Sequence, residues 1–248
     1  MASQNLSTLF PDSRWTIPTA VGNPLTVIYV YNTSVSTATN GGRCCLFTVP
    51  AGATWAKFEV WGGGGGGGGA CCCQQQCYSG GSGTYARRTI SVTPGQQYTI
   101  CAGGSSDCSL TCLGSPGFPS YACLTGTLAL CAAAGAQGAT GCFYTNGACN
   151  SVSYQSGGAC GHDLVICGIV SGAIATTCGF QSLAYGSEPT YLGGGIRASI
   201  DQCNNGTGMG NGGCASFPGG GGSGAQASGG PCYQGGVGAG GLVVITYK

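Results

Sequence analysis

Eight consecutive glycines at residues 62–69 constrain the fold of this chain more than any other feature. Neither a helix nor an ordinary strand favours such a run, because glycine loses the most backbone entropy when it is ordered. Two states remain: a flexible linker, or a polyproline-II-like helix that packs closely against similar helices. Glycine runs at 193–195, 219–222 and 235–241 are candidate neighbours. Trp61 precedes the tract and cysteines follow it, so we expect the tract to be ordered and packed.

Short β-branched and aromatic runs lie between clusters of glycine, proline and serine, and they predict strands. No segment has convincing helical periodicity. Residues 55–61 alternate, with Lys57 and Glu59 on one face and Phe58 and Val60 on the other, which is typical of a half-buried strand. The fold class that we predict is all-β: a glycine-rich, β-sandwich-like domain with long irregular loops and polyglycine-II segments.

Two turn sequences and a terminal apolar run extend this pattern. Thr93-Pro94-Gly95-Gln96 separates two strand-like runs, 87–92 and 97–102, and predicts a hairpin. Pro50-Ala51-Gly52 predicts a second turn. Residues 241–248 carry apolar side chains on both faces of an extended chain, so we expect them to form a central, fully covered strand.

The composition of the chain changes near residue 43. Residues 1–43 contain no cysteine and little glycine, whereas residues 44–248 are rich in both. The β-branched and aromatic run at 25–31 predicts a strand. We interpret residues 1–43 as an N-terminal arm or docking strand, and residues 44–248 as a glycine- and cysteine-rich β domain. The alternative is that 25–31 is simply the first strand of that domain.

Charge is almost absent from the sequence. Charged residues make up 5% of the chain and the formal net charge is +1, whereas ordinary soluble domains carry about 25% charged residues. No basic patch is present to neutralise phosphates or an anionic membrane, which argues against nucleic-acid and membrane partners. We identify no secretory signal and no apolar run long enough to span a bilayer. Such a surface suits neutral ligands such as sugars or outer-surface loops.

Nineteen cysteines without a secretory signal are the main contradiction in the sequence, because this density belongs to oxidising compartments. A virus particle made in a cytoplasm and released by lysis resolves it, since disulfides can form after release. Soft-metal binding and free buried thiols are the alternatives to disulfides, and we assign no metal site and no cofactor. The cysteines that we predict to form disulfides are Cys71, Cys72, Cys73, Cys77, Cys101, Cys108, Cys112 and Cys123.

Four elements stand in an order that resembles a known family. They are residues 47–52 with the strand that follows, the glycine tract, residues 90–104, and the terminal Gly-Gly-Leu-Val-Val-Ile-Thr-Tyr. This order resembles the glycine-rich domains of bacteriophage tail fibres, tail-tip adhesins and related virion proteins, over residues 46–104 and 219–248. The resemblance implies a compact β scaffold, packed polyglycine helices and variable loops that contact the host surface.

Aromatic side chains among Gly, Ser, Gln and Asn are binding candidates, because tyrosine gives contact area at low entropic cost. The alternative is that each ring packs on the glycine backbone of its own loop. The candidate ligand-contact residues are Tyr121, Tyr144, Tyr154, Tyr185 and Tyr191. His162-Asp163 pairs the only histidine with an acid, but no aligned nucleophile accompanies it. We therefore expect no catalytic residues and no enzymatic activity.

The sequence favours a non-enzymatic virion structural protein, and most of all a phage tail-fibre or tail-tip adhesin. A capsid-associated or decoration protein is the first alternative, and a secreted or wall-type glycine-rich structural protein is the second. The expected partners are other virion proteins through the N-terminal arm, a host surface glycan or outer-surface protein, and further copies of this chain. The expected location is the virion, outside the cell after lysis.

Overall fold

The regular structure of the chain consists of β-strands. The computed structural model describes residues 26–31, 42–69, 75–77, 79–106, 114–124, 127–132, 140–142, 159–166, 173–174, 183–184, 211–227 and 232–248. Within these ranges every regular element is a strand, and no helix in them is long and apolar enough to cross a membrane. The predicted all-β class is confirmed.

Fifteen strands follow one another along the described chain. They are β1 (Thr26–Tyr31), β2 (Gly42–Thr48), β3 (Trp55–Trp61), β4 (Gln75–Cys77), β5 (Tyr85–Ser91), β6 (Gln97–Gly103), β7 (Ser120–Leu124), β8 (Thr127–Ala132), β9 (Thr140–Cys142), β10 (Ala159–Cys160), β11 (Leu164–Ile166), β12 (Ala173–Ile174), β13 (Leu183–Ala184), β14 (Gln226–Ala227) and β15 (Leu242–Tyr247).

Ten of these strands form the two sheets of a sandwich. The first sheet has the order β1-β15-β3-β5-β11 and the second has the order β10-β8-β7-β6-β2. All their neighbouring strands pair antiparallel. Two smaller sheets, β12-β13 and β14-β4-β9, complete the described strands.

The main core lies between the two large sheets. Strand β3 alternates as expected, because Phe58 and Val60 are buried while Lys57 and Glu59 stay partly exposed on the other face. The ring of Phe58 packs at 5.1 Å from that of Tyr98 on β6, between ring centroids. Aromatic side chains of both sheets therefore hold the sandwich together, since each buries a large apolar area.

The last strand is covered on both faces, which confirms its prediction as a central strand. Val243, Ile245 and Tyr247 point into the main core. Val244 lies in a second buried cluster on the outer face of the first sheet, together with Trp61 and Tyr85, whose rings are 4.7 Å apart. Strand β15 lies between β1 and β3, so its backbone is paired along both edges.

The predicted hairpin at 93–96 is wrong. The turn exists, with Gly95 at a φ of 82° that glycine tolerates, but β5 belongs to the first sheet and β6 to the second. Buried Val92 and Ile100 both face the main core, so the chain crosses from one sheet to the other instead of pairing with itself. The turn after Pro50 likewise joins β2 of the second sheet to β3 of the first.

These two crossings lie side by side and define the arch end of the sandwich, residues 49–54 and 92–96. Val49 donates its N–H to the Gln96 carbonyl and accepts from the Gly95 N–H, both at 2.8 Å. The Lys248 carbonyl accepts the N–H of Thr54 at 2.9 Å. The C-terminal residue is therefore fastened at the arch end.

The N-terminal strand belongs to the first sheet. Strand β1 pairs with β15 over its whole length, from Thr26 opposite Tyr247 to Tyr31 opposite Leu242. In the structure this run is an edge strand of the sandwich. The boundary drawn between residues 43 and 44 falls inside β2, which begins at Gly42.

The hydroxyl of Tyr247 offers a test of the core. The side chain is 5% exposed, and no hydrogen-bond partner reaches its oxygen among the described residues. We expect Tyr247→Phe to leave stability unchanged or to raise it by about 1 kcal/mol, because a desolvated hydroxyl without a partner is removed. Chemical denaturation measures the difference.

The matched control is Tyr85→Phe, since the Tyr85 hydroxyl donates to the Glu59 carboxylate at 2.8 Å. This variant should lose about 1–2 kcal/mol of stability. A larger loss for Tyr247→Phe than for Tyr85→Phe would contradict the assignment of the Tyr247 hydroxyl as unsatisfied.

Candidate functional site

The glycine-rich segments that continue from described strands leave the sandwich at the end opposite the arches. In the first sheet, the strand ends Trp61, Tyr85 and Leu242 lie side by side in register. In the second sheet, β6 ends at Gly103 and β7 begins at Ser120. We call this the lattice end, because the segments that leave it pack together. We call these packed segments the lattice, and they are 62–69, 79–84, 104–106, 114–118, 219–225 and 235–241.

The side chain of Ser120 joins the two sheets where the lattice begins. Its buried hydroxyl accepts the N–H of Gly103 at 2.8 Å and donates to the carbonyl of Trp61 at 2.5 Å. The N–H of Gly241 donates to the Gly103 carbonyl at 2.7 Å. Strand ends from both sheets are thus held at fixed positions, which sets the spacing of the segments that continue from them.

The glycine tract 62–69 lies at the centre of this lattice, and its N–H groups point in three directions in turn. The bonds run from Gly62 to Thr84, Gly65 to Gly81, Gly63 to Phe118, Gly66 to Ser115, Gly64 to Ala239 and Gly67 to Gly236, at 2.8–2.9 Å. Each direction recurs after three residues, the repeat of a polyproline-II-like helix. The tract is therefore ordered and packed, as predicted.

Close backbone approach explains the glycines of the tract. A Cβ on Gly64 or Gly67 would meet the carbonyl of Gly220 or Ser223 well inside 3.0 Å, a distance that real side chains do not reach. Two of the glycine runs singled out in the sequence, 219–222 and 235–241, supply neighbours, whereas 193–195 lies outside the described residues. Only glycine permits this spacing between helices.

The neighbouring segments carry glycine at every third residue on the side that faces the tract. A Cβ at any of these positions would strike a carbonyl of the tract. The pairs are Gly80 and Gly83, Gly114 and Gly117, and Gly235 and Gly238. Other residues, such as Pro116 and Val237, occupy the remaining positions. This spacing is a signal in the sequence that a search for a strict collagen-like period misses.

The lattice consists of three excursions of the chain. In the first excursion, the tract runs outward from Trp61 and segment 79–84 returns antiparallel to it. In the second, segment 104–106 runs outward and segment 114–118 returns. Gly222 and Ala225 donate to Gly65 and Gly68, so that segment runs parallel to the tract and outward. Segment 235–241 returns to β15. The chain therefore reverses direction three times at the end away from the sandwich.

A small sheet joins the first and the third of these reversals, and we call β14-β4-β9 the tip sheet. Strand β4 lies in the first reversal and β14 in the third, and the backbone register places Gln76 opposite both Gln226 and Gly141. None of the residues in its three strands is charged. The tip sheet is thus an uncharged sheet on the side of the lattice away from the arches.

Two charged side chains lie next to each other on the outer face of the first sheet. Lys57 and Glu59 form an ion pair at 2.8 Å. Asp163 accepts the N–H of Thr89 at 2.7 Å, and its own N–H donates to the Arg87 carbonyl at 2.8 Å. Asp163 therefore fastens the edge strand β11 to β5.

No group of three or more His, Cys, Asp or Glu side chains within the described ranges could hold a metal ion.

Comparison with known proteins places the chain in a family. A family model described as a glycine-rich domain matches residues 37–248. The chain belongs to this glycine-rich domain family. The match contains every strand of the sandwich except β1, and it includes the whole lattice and the tip sheet. No curated protein matches the chain.

The structure describes some of the cysteines that were predicted to form disulfides. Cys101 forms a disulfide, with Cys44 as its partner; the two lie directly opposite in register and fasten edge strand β2 to β6. Cys131 and Cys232 are also in disulfides. Cys123, which was predicted to form a disulfide, is a free thiol, and its register neighbours are Thr99 and Leu128. Outside the described residues lie Cys71, Cys72, Cys73, Cys108 and Cys112.

Cys77 ends strand β4 of the tip sheet. Of the predicted ligand-contact tyrosines, Tyr121 is half-buried on β7, opposite Cys101. Tyr144, Tyr154, Tyr185 and Tyr191 lie outside the described residues. The tip-sheet residues Gln75, Gln76 and Gln226 were not among the predicted contacts. The glutamine run at 74–76 was a signal in the sequence for the first two.

Substitution of a tract glycine tests the lattice. We expect Gly64→Ala to destabilise the domain by about 3 kcal/mol or more, because the new Cβ collides with backbone that cannot move aside. Thermal and chemical denaturation measure the loss. Val237→Ala in a neighbouring segment is the control, since Val237 is only partly buried and already carries a Cβ. Equal stability of the two variants would show that the tract is not close-packed.

Thiol labelling tests the assignment of free cysteines. Burial raises the pKa of the Cys45 thiol, against a smaller lowering by Arg43, so less of the reactive thiolate forms near neutral pH. Cys214 is exposed. Iodoacetamide should therefore modify Cys214 faster than Cys45 in the native protein, as followed by peptide mass spectrometry. In denaturant the two rates should converge, and equal rates in the native state would contradict this assignment.

Proposed function

We propose that this glycine-rich domain protein is a non-enzymatic virion structural protein, a phage tail-fibre or tail-tip adhesin that contacts the host surface. The observation that carries the proposal is the difference between the two ends of the molecule. The chain enters the sandwich through Thr26 at the arch end, whereas the three reversals and the tip sheet lie at the opposite end. One end suits anchoring and the other suits presentation.

The chemistry of the tip suits a neutral ligand. The tip-sheet strands contribute glutamine, threonine, glycine, alanine and cysteine and no charged residue. Contacts to a host glycan or to an uncharged outer-surface loop would come from amide and hydroxyl hydrogen bonds and from aromatic stacking. Such sites bind modestly one at a time, and several copies on one particle raise the overall affinity. Binding should depend weakly on salt, because few charges take part.

The anchoring end supports docking to other virion proteins. Strand β1 begins with Thr26 at the arch end, opposite Tyr247 of β15. An arm that docks there leaves the tip free to meet the host. Further copies of the chain on the same particle provide the multivalency that the proposal requires.

Paired charge substitutions at the two ends test the proposal. The purified full-length chain is measured on an array of neutral and acidic bacterial surface glycans and on a panel of whole bacterial cells, at low and high salt. Gln76→Arg in the tip sheet should reduce binding about tenfold or more, because an unpaired charge would be desolvated in the contact. Ala51→Arg, exposed in an arch, should leave binding unchanged.

The outcomes separate the proposal from its alternative. Binding to neutral glycans or cells that is lost only in the tip variant supports the adhesin. Equal loss in both variants, or strong salt dependence, contradicts a neutral contact at the tip. Absence of binding by a folded chain, together with regular placement over the head in a map of the intact particle, would instead support a decoration protein.

A further inference from the structure

Strand β1 is the only described element between the N-terminal segment and the rest of the sandwich. It is an edge strand, and β15 is its single neighbour in the sheet. All six residues from Thr26 to Tyr31 pair with β15. A pull on the N-terminal segment therefore reaches the sandwich first through this ladder.

Strand β15 passes such a pull directly toward the lattice. The same six residues that pair with β1 also pair with β3 on the other side. Before Leu242, the chain runs into segment 235–241 of the lattice, and after Trp61 strand β3 runs into the tract. Both routes lead from the ladder into lattice segments that are hydrogen-bonded to one another.

The direction of the strands determines how the ladder is loaded. Thr26 begins β1 at the arch end, and Leu242 begins β15 at the lattice end. Tension between an anchored N-terminal segment and a bound tip would slide the two strands past each other along their length. Hydrogen bonds between antiparallel strands lie perpendicular to the strands, so sliding strains all of them at once.

We propose that the β1–β15 ladder is a mechanical clamp that keeps the protein attached under tension between its anchor and its tip. The biological use of the clamp rests on the proposed adhesin function, whereas its resistance to force is a property of the fold alone. A chain that binds no host surface would still show the clamp, so the two proposals fail separately.

The same ladder should resist force much less when it is pulled in a second direction, which serves as the comparison. Lys248 follows β15 at the arch end, beside the start of β1 at Thr26. Force applied between the N-terminus and Lys248 pulls the two strands apart from one end, and the hydrogen bonds break one after another. The two directions therefore load one set of bonds either together or in sequence.

Single-molecule force spectroscopy on the full-length chain compares these directions. One handle is attached at the N-terminus, and the other at either Gln76 in the tip sheet or Lys248. Forced unfolding reports the unfolding rate along the pulled direction. We expect the first rupture to need a several-fold higher force with the Gln76 handle, and to release the same chain length, from β1 to the start of β2, in both directions.

Proline substitution identifies the ladder as the source of the resistance. N–H groups along an edge strand point alternately toward and away from the partner strand, so only one of Ile28→Pro and Tyr29→Pro removes a ladder hydrogen bond. One variant should lower the rupture force with the Gln76 handle markedly more than the other. Equal rupture forces in the two directions, a first rupture inside the lattice, or no effect of either proline would overturn the proposal.

Discussion

The N–H groups of the glycine tract bind three different neighbours in turn, and the rest of the molecule is organised around this pattern. Tract 62–69 is the central member, with 79–84, 114–118 and 235–241 around it. Each neighbour must present a carbonyl every three residues and must lie close enough to accept. Because every N–H and C=O buried away from water needs a partner, the chain has to bring these distant segments into one bundle.

The sandwich determines the positions from which the segments of that bundle start. Strand ends of both sheets are set side by side by the ladder registers, and the Ser120 hydroxyl joins Gly103 to Trp61 across the gap between the sheets. Side-chain packing thus positions the strands, and the strands position the glycine segments. Apolar burial stabilises the sandwich, while backbone hydrogen bonds between close-packed segments stabilise the lattice, where the buried side chains are small.

Local patterns in the sequence predicted some parts of this arrangement and missed others for physical reasons. The alternation of β3 and the two-sided apolar character of β15 depend on residues within one strand, so they were predictable. The residues at 93–96 specify a change of direction, but not whether the flanking strands pair or face each other across a core. That outcome depends on the second sheet, and it explains why the hairpin prediction failed.

The candidate site was less predictable than the fold. Close packing of the tract follows from glycine itself, but the choice of neighbours depends on where the chain reverses. The tip sheet joins β4, β9 and β14 from three distant parts of the sequence, and strands of two or three residues carry no periodicity of their own. The spacing of Gly80 and Gly83, or of Gly114 and Gly117, was visible in the sequence, and its meaning requires knowledge of the central tract.

The three reversals of the lattice differ from its glycine segments in how freely their amino-acid sequence can change. Each reversal starts and ends at a backbone position that hydrogen bonds of the lattice hold in place, such as Gly67 and Gly80. Insertions, deletions or new side chains between such positions, outside the strands of the tip sheet, would therefore leave the glycine register unchanged. Mutation can therefore remodel the far end of the molecule over generations while selection preserves a scaffold whose glycines admit no replacement.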